Sequence, residues 1–278
     1  MNNFEEKLAH SLDYLEDSRI KEAMYYSLCA PGKRLRPLLL YSVLKGYGVN
    51  VDQGDKAAIA IEMIHSYSLI HDDLPCMDDD DLRRGRKTCH KQFDEATALL
   101  AGDALLSESF GFVANATYKA NINNDLVNEF VKAIGANGMI LGQMIDLLSE
   151  NSKVDLETIE KIDYLKTGCL FSLALVSGCI ISERKTDIDV WRNIGFKLGL
   201  AFQIQDDCLD VTGDEATLGK SISDEKNQKT TFVTELGFEK AQELYINLFK
   251  EIETDIKKIN VHEAPFLELV NLVKNRNH

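Results

Sequence analysis

Apolar residues recur at three- and four-residue spacing through most of the chain, as at Leu40, Val43, Leu44 and Tyr47 and again at Ile59, Met63 and Ile70, with Ser66 the polar member of that stripe. This is the period of an amphipathic helix, and it predicts an all-α protein. Turn signals fall at 30–33, 50–54, 121–124, 151–155, 183–187 and 213–229, which divides the chain into about ten helices. Segments 93–118, 124–149, 156–182 and 187–210 are apolar over more than one face, so they are expected at the centre of a bundle with other helices around them. No fixed-period repeat and no Pro/Ser-rich linker interrupts residues 1–278, and a single domain is expected over that range. The 213–229 loop is the expected mobile lid.

Composition narrows this picture. Only four prolines punctuate 278 residues, so long helices are permitted almost everywhere. The net charge of −14 opposes general binding to nucleic acid or anionic lipid. Six cysteines are scattered without a CxxC pair, which suits a reducing compartment. The start, MNNFEEKLAH, lacks the basic end and apolar run of a signal peptide, and a cytoplasmic location without a stable membrane anchor is expected.

Two acidic clusters stand out. The segment IHDDLPCMDDDDLRRG carries Asp72, Asp73, Asp78, Asp79, Asp80 and Asp81 directly after an apolar helix. FQIQDDCLD carries Asp206, Asp207 and Asp210, with Asp206 and Asp210 on one helical face, where like charges destabilise unless neutralised. Carboxylates at the ends of apolar helices are costly to desolvate alone, and an oxygen-only donor set favours a hard divalent cation such as Mg²⁺, completed by water and substrate phosphate. An EF-hand is a poor fit, because 72–85 lacks its alternating acids, central glycine and late Glu. Asp72 and Asp78 would diverge on a straight helix, but Pro75 interrupts the ladder and is expected to re-aim Asp78 towards Asp72.

Against this negative charge, Lys33, Arg34 and Arg36 in GKRLRP and Arg83, Arg84, Arg86 and Lys87 are local exceptions that read as anion sites. Lys33 and Arg36 are placed at i and i+3 in the first turn of a helix, where free N–H groups also favour phosphate. If helical, Arg83 and Arg84 diverge by about 100° and serve two different anions. His65, His71, Lys166, Thr167 and Gln203 are isolated polar groups on apolar helices. Taken singly, each feature also fits a plain role: a solvated acidic loop, surface lysines and arginines, a loop proline, or a satisfied core residue.

Taken in order, GKRLRP (32–37), HSYSLIHDDLPCMDDDDLRRG (65–85), YLKTG (164–168), FQIQDDCLD (202–210) and LGK (218–220) resemble the motifs of the trans-isoprenyl (polyprenyl) diphosphate synthases, and within that family the bacterial farnesyl diphosphate synthases. The resemblance implies an all-α bundle around a deep central cavity, a homodimer, aspartate motifs facing each other across the mouth, and three Mg²⁺ ions, with Mn²⁺ as a substitute. It implies that Asp72 and Asp78 ligate the paired ions and Asp206 the third, with Asp73, Asp207 and Asp210 as supporting carboxylates. Lys33, Arg36, His65 and Arg84 are similar to residues that grip isopentenyl diphosphate, and Arg83, Lys166, Thr167, Gln203, Lys220 and Lys229 to those facing the allylic substrate. Arg34 belongs to the motif without touching substrate, and Gln143 and Asp146 are given a structural or cavity-polar role. The segment KSISD after Lys220 departs from the family by being one residue short and lacking a glycine.

The implied activity condenses isopentenyl diphosphate with dimethylallyl or geranyl diphosphate to farnesyl diphosphate. Loss of the allylic diphosphate is helped by the metal, Arg83, Lys166 and Lys220, and no dedicated protein base is needed, so His71 is superfluous in that role. Tyr67 lies about 7.5 Å down the helix from Asp72, beside Ser68, and in the resembling enzymes an aromatic there goes with a fifteen-carbon product. A geranylgeranyl diphosphate synthase is the nearest rival, a terpene cyclase has no use for the second basic pocket, and a non-catalytic helical subunit would be expected to have lost an aspartate motif.

Overall fold

The computed structural model describes residues 2–150, 152–212 and 230–276. In chain order the helices are α1 (Asn2–Ala9), α2 (Arg19–Leu28), α3 (Leu35–Gly46), α4 (Asp55–Asp72), α5 (Cys89–Gln92), α6 (Glu95–Ala114), α7 (Ala120–Ile134), α8 (Met139–Ser149), α9 (Leu156–Asp163), α10 (Cys169–Ile181), α11 (Ile188–Thr212), α12 (Phe232–Leu236), α13 (Phe238–Asp255) and α14 (Ala264–Lys274). The protein is all-α as the periodicity predicts, apart from the two-residue strands β1 (Leu82–Arg83) and β2 (Arg86–Lys87), an antiparallel hairpin. The chain forms two compact units, Met1–Pro37 with Asp52–Val127, and Leu38–Val51 with Asn128–His278.

In the first unit α4 packs along α6, with α2 over the pair. Ala57, Ala58 and Ala60 of α4 and Ala98 and Ala101 of α6 are fully buried, and side chains this small let two helices approach closely. Asp94 caps α6 by accepting from the Thr97 amide at 2.7 Å and also pairs with Arg19 of α2 at 2.8 Å, which ties the two helices together at one end.

In the second unit every residue of α10 is buried, which is what a helix apolar on all sides requires. It packs against α11, and α11 against α13. The start of α11 is anchored by Trp191, whose indole donates to the Tyr47 hydroxyl at 2.9 Å, and that hydroxyl donates to Asp187 at 2.7 Å. By length and composition Glu95–Ala114 and Leu156–Ile181 could each cross a membrane, but 83% of the apolar window of the latter is buried in the protein, as a core helix must be.

Some boundaries differ from the sequence reading. The segment 124–149 is two helices, because Gly135–Gly138 form a turn between α7 and α8. The turn expected at 121–124 lies at 115–119 instead, and the Asn123 side chain closes it by donating to the Ala114 and Ala116 carbonyls at 2.8 and 2.9 Å. The expected lid at 213–229, with Lys220, Lys229 and the shortened segment 220–224, lies outside the described residues.

Candidate active site

The aspartate segment of the first unit begins where α4 ends, at Asp72. Beyond Pro75 the chain folds back: the Asp78 amide donates to the Asp72 carbonyl at 2.9 Å, and Asp79 takes a positive φ of 50° while its amide donates to Leu74 at 3.2 Å. This is the re-aiming that the proline predicted. Asp78 Oδ1 is sealed from solvent with no hydrogen-bond partner, which is expensive for a carboxylate unless a cation meets it. An oxygen-only donor pair containing such an orphaned atom fits Mg²⁺.

Asp73, Asp80 and Asp81 have protein partners. Asp73 is buried and accepts two bonds from Arg83, from Nε at 2.7 Å and Nη2 at 2.5 Å, while Asp80 lies 3.7 Å from the same guanidinium. Asp81 is exposed and pairs with Lys91 at 2.8 Å. In this structure Asp73 therefore orients Arg83, a role the spacing alone did not suggest.

Beside this segment lies a cleft of about 570 Å³, open to solvent, with Tyr26, Arg34, His65, Asp73, Arg83 and Arg84 on its walls. Arg34 turns the chain just before α3 with a φ of 48°, so Lys33 precedes the helix rather than lying in its first turn, and only Arg36 is helical. The Arg34 guanidinium is buried against Glu62 at 2.8 Å, Glu5 at 2.9 Å and the Ala30 carbonyl at 2.8 Å, which fixes the loop. Arg83 and Arg84 are not helical. Arg83 is in β1 and Arg84 in the hairpin turn, where Arg84 and Gly85 have φ of 52° and 72°, the type I′ pattern in which the second position suits glycine. Arg84 Nη1 donates to the Pro31 carbonyl at 2.7 Å, joining the hairpin to the GKRLRP loop.

The cluster shapes the chemistry of His65. Burial, then Arg36, Arg84 and Arg83, hold its imidazole well below the usual histidine range, so it is neutral at pH 7. Burial and Arg84 likewise bring Arg36 down to about 10, which leaves it protonated. Arg34 and Arg83 are held by acids, while, beyond burial, Arg84 lowers Arg36 and both lower His65, the electrostatics of a site for an anion.

Deeper in the first unit, Tyr67 is buried with its hydroxyl unpartnered, and burial together with Asp72 pushes the phenol up to about 12, so it is a neutral ring. Ser68 donates back to the His65 carbonyl at 3.0 Å. His71 packs edge-on against Tyr67 with its Nε2 3.1 Å from the Leu99 carbonyl, which suits packing rather than base chemistry.

In the second unit YLKTG forms a π-helical turn, Tyr164–Gly168, between α9 and α10. Such a turn displaces side chains from the α-helical phase and is frequent at functional sites. Lys166 pairs with Asp146 of α8 at 2.7 Å, and the Thr167 hydroxyl donates to Gln203 Oε1 at 3.5 Å. Gly199 permits the approach of α11, since a Cβ there would lie 2.5 Å from the Gly168 Cα. Asp207 accepts from the Phe232 amide at 3.2 Å, Asp206 pairs with Arg276 at 2.7 Å, and Asp210 is exposed. Gln143 Nε2 is sealed without a partner.

Sequence reasoning missed Asp163. It ends α9, its Oδ2 is buried without a partner, and burial with Asp207 and Asp146 pushes its carboxyl well above the usual range. Asp207, Asp146 and Asp206 act on Asp163 as like charges, and Lys166 opposes them. Its position just before YLKTG was the available signal. Glu62 and Arg276 were also missed, and neither carries a local motif.

Residues 17–264 match the Polyprenyl synthetase family. The chain is 44% identical to the farnesyl diphosphate synthase of Micrococcus luteus, over 94% of this chain and 90% of that one. Its fold is similar to that of an FPP/GFPP synthase from Zymomonas mobilis, with a TM-score of 0.87, 36% identity and coverage of 100% of this chain and 95% of the other. It is also similar to a geranyltransferase from Helicobacter pylori complexed with magnesium and isoprenyl diphosphate, with a TM-score of 0.85, 35% identity and coverage of 99% and 95%. With motifs, helical fold and full-length similarity in agreement, the chain belongs to the polyprenyl synthetase family.

Proposed function

We propose that this protein is a farnesyl diphosphate synthase, condensing isopentenyl diphosphate with dimethylallyl or geranyl diphosphate. The observation that carries the reading is the orphaned Asp78 oxygen folded back beside Asp72, next to a cleft walled by His65, Arg83 and Arg84. Acid for a metal and base for a diphosphate are what the reaction demands. The family match spans residues of both units, which supports treating 1–278 as one polyprenyl synthetase domain.

Asp72, Asp78 and Asp206 are the proposed Mg²⁺ ligands, three ions in all, with Asp73, Asp207 and Asp210 supporting them. Bound Mg²⁺ supplies Lewis-acid charge at the departing diphosphate. Arg83 and Lys166 neutralise the same developing charge, held by Asp73 and Asp146 respectively. Lys33, Arg36, His65 and Arg84 bind the diphosphate of isopentenyl diphosphate, and Thr167 and Gln203 bind the allylic one. Lys220 and Lys229 join the allylic set. The nucleophile is the double bond of isopentenyl diphosphate, and the proton it later loses passes to released diphosphate, so no side chain needs to act as base. The neutral ring of Tyr67 stops the growing chain at fifteen carbons.

Ile140, Met144 and Leu148 form an exposed apolar stripe along α8, which supports assembly as a homodimer. All six cysteines are free, consistent with a reducing cytoplasm. The test is an assay with isopentenyl diphosphate and either starter, with and without Mg²⁺, followed by product chromatography. Metal-dependent farnesyl diphosphate is expected. A twenty-carbon product would instead identify a geranylgeranyl diphosphate synthase, and no turnover a non-catalytic subunit.

A further inference from the structure

Arg276 lies near the C-terminal end of the described chain, yet its side chain is only 8% exposed. Arginine side chains are rarely this buried without a dedicated set of partners. Here they all come from a single turn of α11: Nη2 donates to Asp206 Oδ1 at 2.7 Å and to the Phe202 carbonyl at 2.6 Å, and Nε donates to Gln205 Oε1 at 3.0 Å. The guanidinium also lies 3.5 Å above the centroid of the Phe202 ring. Gln205 completes the clasp by donating to the Lys274 carbonyl at 2.8 Å.

We propose that Arg276 is a built-in counterion of the second aspartate segment, a positioning residue that holds the Asp206 carboxylate until a divalent cation displaces it. The proposal rests on the reading of Asp206 as a metal ligand. A guanidinium and a metal ion both seek the oxygens of this one carboxylate, and the two cations repel each other. In the metal-free enzyme the guanidinium thereby offsets repulsion between Asp206 and the neighbouring Asp207 and Asp210. The metal must compete with Arg276, so loading of this segment releases the arginine.

The test uses the full-length chain with Mn²⁺ as the probe, in the presence of inorganic pyrophosphate, and free Mn²⁺ read by electron paramagnetic resonance. Arg276→Gln is expected to tighten Mn²⁺ binding about two- to fivefold, the upper scale of an ion pair in which one partner is partly exposed. The gain should vanish in an Asp206→Asn background. Unchanged or weaker binding by Arg276→Gln, while Asp206→Asn still weakens it, overturns the counterion alone. If Asp206→Asn leaves binding unchanged, the ligand assignment and the counterion fall together.

A second measurement needs no variant. Tryptic cleavage after Arg276, read as loss of Asn277 and His278 by intact mass, requires the guanidinium to leave α11. Adding Mn²⁺ and pyrophosphate should speed it about threefold or more, because cleavage follows the open population. A constant or slower rate contradicts the proposal.

Discussion

The backbone amide of Asp78 donates to the carbonyl of Asp72 at 2.9 Å. One hydrogen bond across the Pro75 turn thus brings together two residues that a continuous helix would point in different directions. The same fold-back leaves an Asp78 oxygen buried without a partner, the feature that most clearly asks for a cation.

Substituting Asp72 or Asp206 with alanine should lower kcat by about two orders of magnitude or more, the scale of losing a group that stabilises transition-state charge. The melting temperature should hold or rise for Asp72→Ala, since repulsion among the acids is relieved, and should fall for Asp206→Ala, which takes the carboxylate from the buried Arg276. Steady-state kinetics alongside circular dichroism decide the point, and near-normal turnover in either variant would remove that residue from the metal set.

Tyr67→Ala should lengthen the product, because it takes the ring off the α4 face five positions before Asp72. Tyr67→Phe should not, since the hydroxyl has no partner to lose. The alanine variant is expected to lose about 3 kcal/mol of stability for the buried ring. Chromatography of the hydrolysed products is the readout, and unchanged fifteen-carbon chains from Tyr67→Ala would dismiss the floor assignment.

Glu62 is the buried partner of Arg34, and both side chains are under 5% exposed. Glu62→Ala should destabilise the protein by about 3 kcal/mol, because it strands a buried guanidinium. Urea unfolding measures this. A loss below about 1 kcal/mol would mean that Glu5 alone suffices as counterion.

The neutral, buried His65 gives a pH prediction with a definite sign. Its native pKa is depressed, so the unfolded chain binds the extra proton first, and stability is lost as pH falls below the ordinary value of 6.5 towards the native one. Above 6.5 the group is neutral in both states and contributes no slope. Between pH 7 and pH 5 the urea midpoint of the wild type should fall more steeply than that of His65→Gln. Parallel slopes would show that burial and the arginines do not hold this imidazole down.

The motifs were legible because each packs its chemistry into consecutive residues. Asp72 to Asp78, GKRLRP and YLKTG announce themselves by charge or by polar groups on apolar helices. What they hide is how each side chain is aimed. Arg83 and Arg84 read as helical neighbours, but a type I′ turn makes one a strand residue and the other a turn residue. Lys33 read as first-turn helix, but the left-handed backbone at Arg34 puts it outside.

By itself the sequence determined the all-α fold, the apolar core helix α10 and the family, since helical period and local motif order are properties of neighbouring residues. Only tertiary structure decided that Asp73 clasps Arg83, that Asp146 holds Lys166, that Glu62 serves Arg34 and that Arg276 reaches Asp206. Those pairings join groups ten to seventy positions apart. Which acid meets which base is settled by packing of the helices that carry them, because a charge buried in that packing must find whatever opposite charge the fold brings within reach.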